Sequence, residues 1–490
     1  MINQYKQANM EIKKILNGVD YKGEFDDFDV KNISYDSRKV TNGTLFVAVK
    51  GKNFDGHDFI DEAIKNGAIA IVKNENSKRN PGIIEVEVKD TRKTLSKLAN
   101  NFFNNPSSKI GTIGVTGTNG KTTTTYLINR IFNDCGLKAG SIGTLGFISP
   151  TNLISTGFTT PESLELNNFI DKLIKGGVKH VVLEASSHAL ALNRLDNIII
   201  DTAIYTNLSR EHLDFHKNMN EYFSEKLKLF TSLSKNANSI INIDDKYSKR
   251  IINNIKSKII TYGFNSKADI YPVSYQMSYS SMEFQISLFN NLYKINTNIT
   301  GKHNIYNIMA SIAACIINNI PIELIIKSLK NIKSIPGRME FIGNENNKVF
   351  IDYAHTPDAY NNILKLINDI KAKNHKVITL FGCGGDRDKL KRSEMAKISE
   401  KYSDKIIVTT DNPRTENIDK IMNDILIGFK EKKHIIIKNR ETALIESIKM
   451  LNRNSILLVL GKGRETYQLV NQMKIDHNDI EIIKREINES

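Results

Sequence analysis

A glycine-rich stretch between an apolar run and a helix-like segment carries the clearest chemistry in the sequence. Residues 114–124 read GVTGTNGKTTT, and the helix-like KTTTTYLINRIF continues from Lys121. Such glycines let backbone N–H groups close around a phosphate, and the helix N-terminus favours negative charge. Lys121 would reach the terminal phosphates, and the Thr122 hydroxyl would bind Mg²⁺. Val115 breaks the usual glycine spacing of this loop, so an ordinary glycine-rich turn remains the alternative.

Possible metal ligands follow two further apolar runs. Glu184 comes directly after the apolar residues 181–183, and the stretch NLSREHLDFH contains His212, Asp214 and His216. A phosphate-bound Mg²⁺ uses few protein oxygens and keeps several waters, so one strand-end acid is enough. A surface glutamate in a turn fits the first pattern equally well. Two histidines beside an aspartate favour a metal site over two core histidines.

One lysine lies on the apolar side of a predicted helix. In NEYFSEKLKLF, Tyr222, Lys226 and Phe230 are spaced four residues apart and share a stripe, whereas Lys228 points away. Lys226 could bury its stem and extend its ammonium to water. It could instead be held partly desolvated with a lowered pKa, and a neutral amine can be carbamylated by CO₂ to an anion. The pattern alone does not choose between them.

A polar turn follows the apolar residues 406–408. The turn contains Asp411, Asn412, Pro413 and Arg414, ahead of a predicted amphipathic helix. Arginine is suited to two-pronged binding of a carboxylate, and proline fixes φ and removes a donor, so the turn could hold Arg414 in one direction. A solvated turn arginine is the alternative.

The elements that must position these residues alternate between strand and helix. Residues 1–105 carry short strand patterns such as TLFVAV and AIAIV, and strands alternate with helices over 106–335 and again over 336–490. This pattern predicts an α/β fold of three domains with parallel sheets covered by helices. Ligands of such sheets bind at the carboxyl ends of the strands, where the polar residues described above lie.

Bulk composition narrows the protein class. The chain has 490 residues, a net charge of +14 and a pI of about 9.3. The charge is spread along the chain, largely as lysine, with no basic block, which favours an ordinary basic surface over a nucleic-acid site. A small polyanionic substrate is also compatible with this charge, and charge alone does not choose between them. A basic nucleic-acid-dependent ATPase remains the alternative from another class. Three distant cysteines and the lack of a long apolar run predict a cytoplasmic protein with no membrane span.

Several motifs, in order, give the chain a family resemblance. GTNGKTTT, EASSHAL, TNLSREHLDFH, GKHNIYN, PGRME and DYAHTPDA together resemble the Mur ligases of peptidoglycan synthesis, over nearly the whole chain. The stretch YDSRKVTNGTLFVAVKGKNFDGHDF resembles the uridine-binding domain of the form that adds the third amino acid. FGCGGDRDK, DNPR and GKGRE are similar to the form that adds meso-diaminopimelate.

The resemblance implies an architecture and a reaction. It implies an N-terminal mixed α/β uridine-binding domain, a central P-loop parallel-sheet ATPase domain and a C-terminal Rossmann-like domain that binds the amino acid. With ATP and Mg²⁺, such an enzyme phosphorylates the γ-carboxylate of D-Glu in UDP-N-acetylmuramoyl-L-Ala-D-Glu. The incoming amine then attacks the acyl phosphate. The resemblance further implies a cytoplasmic monomer serving cell-wall growth and division.

The resemblance also implies residues for ATP and metal chemistry. Catalytic roles fall to Lys121, His212 and Lys226, the last as carbamylated N6-carboxylysine. The implied Mg²⁺ ligands are Thr122, Glu184, His212 and Lys226. The implied ATP contacts are Gly117, Thr118, Asn119, Gly120, Lys121, Thr122, Thr123, Asn304, Arg338, Asp352 and His355.

For the nucleotide precursor, the implied contacts reach two domains. Leu192 stands where glutamine is common in relatives, and Thr160 before Pro161 is alternatively a helix cap in TPES. The implied precursor contacts are Ser37, Lys52, Asn53, Phe54, Asn119, Thr159, Thr160, Ser186, Leu192 and Arg194.

For the added amino acid, the resemblance implies a pocket for a second zwitterion. Arg414 would bind its distal carboxylate and Glu465 its distal ammonium. Arg464 stands where histidine is usual and adds a cation beside Glu465. L-Lysine as the added amino acid is an alternative that Arg414 disfavours, and a folate-type ligase is one that the uridine-type motif disfavours. Lanthionine has the same charged ends as diaminopimelate and would satisfy the same residues. The implied pocket residues are Arg387, Asp411, Asn412, Pro413, Arg414, Gly461 and Glu465.

Overall fold

The computed structural model of the chain describes residues 9–51, 54–75, 77–78, 80, 82–154, 158–343, 347–431, 434–471 and 473–489. Lys52 and Asn53, which were predicted to contact the precursor, lie outside these residues. Three separate main sheets with helices on their faces make up a mixed α/β fold. The domain boundaries near residues 105 and 335 stay predictions.

The first sheet has four parallel strands in the order β3-β4-β5-β6. Helix α3 packs its apolar side on this sheet, and the Asp90 carboxylate caps it by accepting from the N–H groups of Arg92 and Lys93. β1 and β2 pair antiparallel beside it. The elements are β1 (Met10–Glu11), α1 (Ile12–Ile15), β2 (Asp29–Val30), β3 (Asn32–Ser34), β4 (Thr44–Val47), α2 (Ile60–Lys65), β5 (Ala68–Asn74), β6 (Ile84–Val88) and α3 (Thr91–Phe102).

The central sheet has eleven strands in the order β10-β9-β8-β11-β7-β12-β13-β14-β15-β16-β17. Its first elements are β7 (Gly111–Thr116), α4 (Lys121–Asp134), β8 (Ala139–Gly143), β9 (Gly146–Ile148), β10 (Leu153–Ile154), α5 (Ser163–Lys175), β11 (His180–Glu184), α6 (Ser187–Ala191), β12 (Thr202–Tyr205) and α7 (Met219–Thr231). The sheet continues with β13 (Asn238–Asn242), α8 (Ser248–Ile252), β14 (Lys258–Tyr262), β15 (Ile270–Met277), β16 (Met282–Leu288), β17 (Asn291–Thr297), α9 (Lys302–Ile317) and α10 (Ile322–Asn331).

The central sheet is parallel in the middle and antiparallel at both edges. The neighbouring strands β8, β11, β7, β12, β13, β14 and β15 run parallel to one another, as the alternating pattern predicted. β9–β10 and the meander β15–β16–β17 add antiparallel edges that the sequence prediction did not include. One core lies under α4, α9 and α10, and a second lies under α5 and α7. Helices on both faces therefore leave the carboxyl ends of β7, β11 and β12 as the open edge.

The C-terminal sheet has six strands in the order β18-β19-β23-β20-β21-β22, and only β18 runs antiparallel. Its four middle strands end side by side at Asp352, Leu460, Phe381 and Val408. The elements are β18 (Glu340–Phe341), β19 (Lys348–Asp352), α11 (Pro357–Ile370), β20 (Lys376–Phe381), α12 (Leu390–Tyr402), β21 (Lys405–Val408), α13 (Ile418–Leu426), β22 (His434–Ile436), α14 (Arg440–Lys449), β23 (Ser455–Leu460), β24 (Tyr467–Val470), β25 (Met473–Asp476) and α15 (Asp479–Glu489).

A short hairpin, β24–β25, stands beside the strand ends of the C-terminal sheet. A backbone hydrogen bond joins β24 to the turn after β21: the Arg414 N–H donates to the Leu469 carbonyl at 2.9 Å. Within the described residues, no helix is both long and apolar enough to cross a membrane.

Candidate active site

A cavity of about 1350 Å³ lies between the open edges of the central and C-terminal sheets. It joins most of the residues predicted for ATP, precursor and amino acid in one space. Among predicted residues, Ser37, Phe54, Gly117 and Pro413 do not line it. Those that line it are Thr118, Asn119, Gly120, Lys121, Thr122, Thr123, Thr159, Thr160, Glu184, Ser186, Leu192, Arg194, His212, Lys226, Asn304, Arg338, Asp352, His355, Arg387, Asp411, Asn412, Arg414, Gly461 and Glu465.

The phosphate loop joins β7 to the first residue of α4. Gly117 has φ of 148°, and a Cβ there would come within 1.9 Å of the Thr206 hydroxyl, so only glycine fits. The Lys121 Nζ donates to the carbonyls of Gly117 at 3.0 Å and Thr118 at 2.8 Å. Burial lowers the pKa of Lys121. The loop therefore holds an amine among its own carbonyls at the helix N-terminus.

Glu184 ends β11, next to the phosphate loop. Its carboxylate is almost fully buried and accepts hydrogen bonds from the Thr122 hydroxyl at 3.0 Å and the Thr144 N–H at 2.7 Å. Arg338, from the segment before β18, donates to the same Thr122 hydroxyl at 3.1 Å. A hydroxyl and a carboxylate beside a phosphate loop fit a Mg²⁺ that keeps most of its waters. Glu184 is thus a strand-end acid inside the cavity and not a surface residue.

Lys226 lies on α7 beneath the phosphate loop. Its side chain is only 2% exposed, and its Nζ donates to the Gly117 carbonyl at 2.8 Å. Nζ also lies 4.7 Å from the centre of the Tyr222 ring. Burial, and then the nearby Lys121 charge, holds the pKa of Lys226 well below its usual value. The alternative in which the side-chain nitrogen reaches solvent is therefore wrong, and Lys226 is desolvated, as the other alternative expected.

The predicted histidine metal site is not formed. Within the described part of the chain, no group of three His, Cys, Asp or Glu side chains is placed to hold a metal. His216 is buried against the Tyr222 ring, with ring centres 5.1 Å apart, so it belongs to the core. His212 alone of the two histidines lines the cavity, and burial lowers its pKa to about 3. Any metal contact by His212 would thus be a single bond from a neutral ring.

Glu211 is a functional candidate that the sequence interpretation missed. It is buried beside His212, and its Oε1 lies 2.8 Å from His355 Nε2. The other ring nitrogen of His355 lies 2.9 Å from the Tyr353 carbonyl, so both nitrogens face acceptors. The contact joins the central and C-terminal sheets across the cavity. Glu211 is part of the SREH motif, but nothing in that motif indicates that His355 is its partner.

Two other predicted ATP contacts have clear structural partners. Asn304, at the start of α9, donates to the Thr300 carbonyl at 2.7 Å. Asp352 ends β19 and accepts from the N–H groups of Met339 and Ala354, each at 2.7 Å. Burial raises the pKa of Asp352, against the effect of Arg338 and these N–H groups. Both residues are fixed in place by the backbone before any ligand is considered.

The predicted precursor contacts of the central domain cluster beside Glu184. The Thr160 hydroxyl donates to the Glu184 carbonyl at 2.5 Å and accepts from the Ser186 N–H at 3.2 Å. The helix-cap alternative for Thr160 is wrong, because Glu162 is the N-cap of α5. Arg194 donates to the Thr160 carbonyl at 2.9 Å. Threonine, serine and arginine side chains thus form one wall of the cavity.

The two described uridine-end candidates lie away from this wall. The Ser37 hydroxyl is buried and donates to Glu62 Oε2 at 2.7 Å, so it already has an acceptor. Phe54 is 73% exposed, which leaves an aromatic ring open to solvent. Their proposed role would require a long ligand that extends from the cavity to the first sheet.

The turn after β21 forms the C-terminal end of the cavity. Arg414 has φ of 55°, and its main chain bonds to Leu469 and Asn471 of the β24–β25 hairpin. Its Nη1 donates to the Gly385 carbonyl at 2.7 Å. Burial and the nearby Arg387 cation lower the pKa of Arg414. Arg414 is therefore half-buried in the cavity wall and not a fully solvated turn residue, and the Gly385 carbonyl holds its side chain while the hairpin holds its main chain.

Glu465 and Asn412 form a bonded pair in the same pocket. Asn412 Nδ2 donates to Glu465 Oε2 at 2.9 Å, and Asn412 Oδ1 accepts from the Leu469 N–H at 2.9 Å. Gly461 has φ of 112°, and a Cβ there would lie 2.6 Å from Asp411 Oδ2. Glycine at 461 therefore leaves space for the Asp411 carboxylate. These bonds fix the Asn412 side chain in the cavity wall, and its role in holding ligand groups stays a prediction.

Arg464 turns away from Glu465. Its Nε lies 2.8 Å from Glu340 Oε2, and its Nη2 pairs with the other oxygen of that carboxylate. Glu340 also accepts from the Gly337 N–H at 2.7 Å. The expected extra cation in the amino-acid pocket is therefore neutralised outside it.

Three family models match most of the chain. They are described as "Mur ligase family, catalytic domain" over residues 29–103, "Mur ligase middle domain" over 115–315 and "Mur ligase, glutamate ligase domain" over 337–463. The matches follow one another along the sequence and cover all three sheets.

Full-length relatives agree with these matches. The chain is 39% identical over 485 residues to UDP-N-acetylmuramoyl-L-alanyl-D-glutamate–2,6-diaminopimelate ligase 1 of Clostridium acetobutylicum, covering 98% of this chain and 100% of that protein. It is 41% identical over 457 residues to the similarly named ligase of Aquifex aeolicus, covering 93% of each. A solved structure of a UDP-N-acetylmuramoyl-L-alanyl-D-glutamate–2,6-diaminopimelate ligase matches with a TM-score of 0.69 and 28% identity, over 98% of this chain and 99% of that one.

Proposed function

Because this chain belongs to the Mur ligase family, we propose that it joins meso-diaminopimelate to UDP-N-acetylmuramoyl-L-Ala-D-Glu in peptidoglycan synthesis, with hydrolysis of ATP to ADP and phosphate. The names of its full-length relatives support this substrate pair. The proposal includes a cytoplasmic monomer.

The observation that carries the proposal is the single cavity. It joins a phosphate loop, a strand-end acid, the half-buried Lys121 and the buried Lys226 to a pocket with Arg414 and Glu465. A nucleotide, a carboxylate acceptor and an amino acid could therefore meet without leaving the protein. Bringing reactants together in a fixed geometry removes much of the entropy cost of a reaction between three molecules.

The reaction has two chemical steps. A γ-carboxylate oxygen of the precursor attacks the terminal phosphorus of ATP, which forms an acyl phosphate as ADP leaves. The amine of the incoming amino acid then attacks the acyl carbon and loses a proton, and phosphate leaves as the amide forms. The barrier of the first step is largely electrostatic, since an anion approaches an anionic phosphate. Lys121 is proposed to offset this repulsion at the end of the phosphate loop.

Mg²⁺ is the metal that this donor set suits. Thr122 and Glu184 would hold it, and His212 and a carbamylated Lys226 are proposed as further ligands. Bound Mg²⁺ would neutralise phosphate charge and draw the phosphate towards the acceptor carboxylate. The lowered pKa of Lys226 supports carbamylation, because only the neutral amine adds CO₂.

The remaining cavity walls are assigned by the same reasoning. Asn304, Arg338, Asp352 and His355 are proposed to hold ATP from two domains, so nucleotide binding would favour domain closure. The wall of Thr159, Thr160, Ser186 and Arg194 is proposed to bind the muramoyl-dipeptide. The uridine would extend towards the first sheet and its residues Ser37, Lys52, Asn53 and Phe54.

The amino-acid pocket favours a ligand with two charged ends. Arg414 and Arg387 offer guanidinium groups to a distal carboxylate, and Glu465 offers an acceptor to a distal ammonium. L-Lysine has no distal carboxylate to use these arginines. Lanthionine has both distal groups and remains the alternative substrate.

A phosphate-release assay tests the proposal. Enzyme, ATP and Mg²⁺ would be supplied with the dipeptide precursor and with meso-diaminopimelate, lanthionine or L-lysine in turn, and each component would be omitted once. We expect release only in complete mixtures, fastest with meso-diaminopimelate. Faster turnover with lysine would contradict the assignment of Arg414, and release stimulated by nucleic acid alone would contradict the ligase function.

A further inference from the structure

Lys462 is a fully buried lysine immediately behind the amino-acid pocket. Its side chain is 0% exposed, and its Nζ lies 2.8 Å from Glu465 Oε2 and 3.2 Å from Asn412 Oδ1. The Tyr467 ring covers it, with Nζ 5.8 Å from the ring centre. Lys462 does not line the cavity, whereas Glu465 and Asn412 do. Its ammonium therefore contacts two side chains of the pocket wall from behind and does not itself face the cavity.

The Lys462 ammonium changes the charge that the pocket presents. Arg387 and Arg414 bring two cations to the pocket, and Asp411 and Glu465 bring two anions. Because Lys462 pairs with Glu465, the acid that faces a distal ammonium is already neutralised from behind. A ligand end that carries only an ammonium thus meets an excess of positive charge. An end that also carries a carboxylate offsets that excess at the two arginines.

We propose that Lys462 is a positioning residue that acts through Glu465 to select amino acids whose distal end carries a carboxylate as well as an ammonium. This inference rests on the proposed function and deepens it. Two effects combine in it. The bonds to Glu465 and Asn412 orient both side chains, and the charge lowers the attraction of the pocket for a lone ammonium.

The size of the effect follows from one unit charge. Two unit charges about 6 Å apart, at an effective dielectric constant of about 40, change an equilibrium ratio by about tenfold. Loss of the Lys462 charge would raise the affinity for a lysine-type distal end. It would weaken the affinity for a distal carboxylate, because Glu465 would then repel it. Both changes lower the preference for the zwitterionic substrate.

The test is a ratio measured on one enzyme preparation. The kcat/KM values for meso-diaminopimelate and for L-lysine would be compared in wild type, Lys462→Met, Lys462→Gln and Lys462→Arg, with saturating ATP and precursor. We expect the ratio of diaminopimelate to lysine to fall at least about tenfold in the first two variants. It should stay within about threefold of wild type in Lys462→Arg, which keeps the charge. Both kcat/KM values are measured on the same preparation of each variant, so a fraction of misfolded enzyme lowers both equally and cancels in their ratio.

Two further variants separate this role from a merely structural one. Lys474→Met removes an exposed lysine of the β24–β25 hairpin, whose Nζ lies 4.4 Å from the centre of the same Tyr467 ring, and should leave the ratio unchanged. In the double variant Lys462→Met with Glu465→Gln, position 465 carries no charge that needs a partner. Most of the lost preference for diaminopimelate over lysine should therefore return. If both neutral variants are inactive with both substrates, equilibrium binding of radiolabelled diaminopimelate and lysine gives the same ratio.

The outcomes distinguish this inference from the proposed function. Wild type that prefers diaminopimelate, with an unchanged ratio in Lys462→Met and Lys462→Gln, would overturn the role of Lys462 alone. A fall that persists in the double variant would also overturn it, because Lys462 would not be acting through Glu465. Wild type without ligase activity on either amino acid would instead overturn the proposed function.

Discussion

Replacing Lys226 with methionine should stabilise the protein and abolish its activity. The amine is buried and makes one hydrogen bond, to the Gly117 carbonyl. Methionine has a similar length and no polar hydrogen, so it fills the site without unsatisfied donors. The Gly117 carbonyl keeps a partner in the variant, because Lys121 also donates to it at 3.0 Å. Few contacts are therefore lost.

The expected magnitude follows from the cost of buried polar groups. A buried donor without a partner costs about 1 to 3 kcal/mol. Lys226→Met should thus raise the free energy of unfolding by about 1 to 2 kcal/mol, or the melting temperature by roughly 2 to 8 °C for a domain of this size. In the same variant the proposed carbamate cannot form, and turnover should fall by about a thousandfold or more.

Two assays on the same preparation measure both effects. Thermal unfolding would be followed without Mg²⁺ or bicarbonate, and phosphate release with both. Lys228→Met is the matched control, since that lysine is 52% exposed on the same helix and pairs with Glu225. The control should change neither quantity by much. A Lys226→Met variant that is less stable than wild type would contradict the cost assigned to the buried amine, and one with full activity would contradict the proposed carbamate.

Three other variants test two arginines near the amino-acid pocket and one ion pair outside the cavity lining, in which Arg392 of α12 lies 2.7 Å from Glu416. Arg414→Lys keeps the charge but loses the two-pronged geometry of the guanidinium. In steady-state assays we expect the KM for diaminopimelate to rise at least about tenfold and the KM for ATP to stay within about twofold. Equal changes in both KM values would contradict a ligand role for Arg414. Arg464→Ala should change turnover by less than about threefold, because its guanidinium pairs with Glu340 outside the pocket, and a larger fall in kcat/KM for the amino acid would place it inside. Glu416→Gln should destabilise the protein by about 2 kcal/mol at pH 7, since Arg392 lowers the pKa of Glu416 to about 2. The pKa of the unfolded carboxyl is near 4.5, so this stabilisation is full above that pH and is lost as pH falls towards 2. Urea unfolding should therefore show a smaller difference between wild type and variant at pH 3 than at pH 7. An equal difference at both pH values would contradict a stabilising role for the ionised Glu416.

Much of the site was predictable because its residues follow strands. Glu184 at the end of β11 and Asp411 after β21 lie at carboxyl ends, where the alternating pattern placed them. The spacing of Tyr222, Lys226 and Phe230 placed the lysine on the buried side of α7. These features depend on local periodicity, which a sequence displays directly.

The rest depends on which loops meet, and local patterns do not encode that. Arg464 was expected beside Glu465, but Glu340 lies within reach on another segment and draws it away. Glu211 and Lys462 stand in motifs that were recognised, yet their partners His355 and Glu465 are set by tertiary contacts. The antiparallel edges of the central sheet were missed for the same reason, since pairing of short strands is decided by their neighbours.

In the proposed reaction, the terminal phosphoryl group of ATP passes to the precursor carboxylate before the amide forms. Precursor labelled with ¹⁸O in the D-Glu γ-carboxylate tests this order of steps. The released phosphate would be examined by mass spectrometry after turnover with ATP and meso-diaminopimelate. The account predicts one labelled oxygen in each phosphate, because the acyl phosphate breaks at its carbon–oxygen bond when the amine attacks. Phosphate that carries oxygen from water and none from the carboxylate would contradict the account.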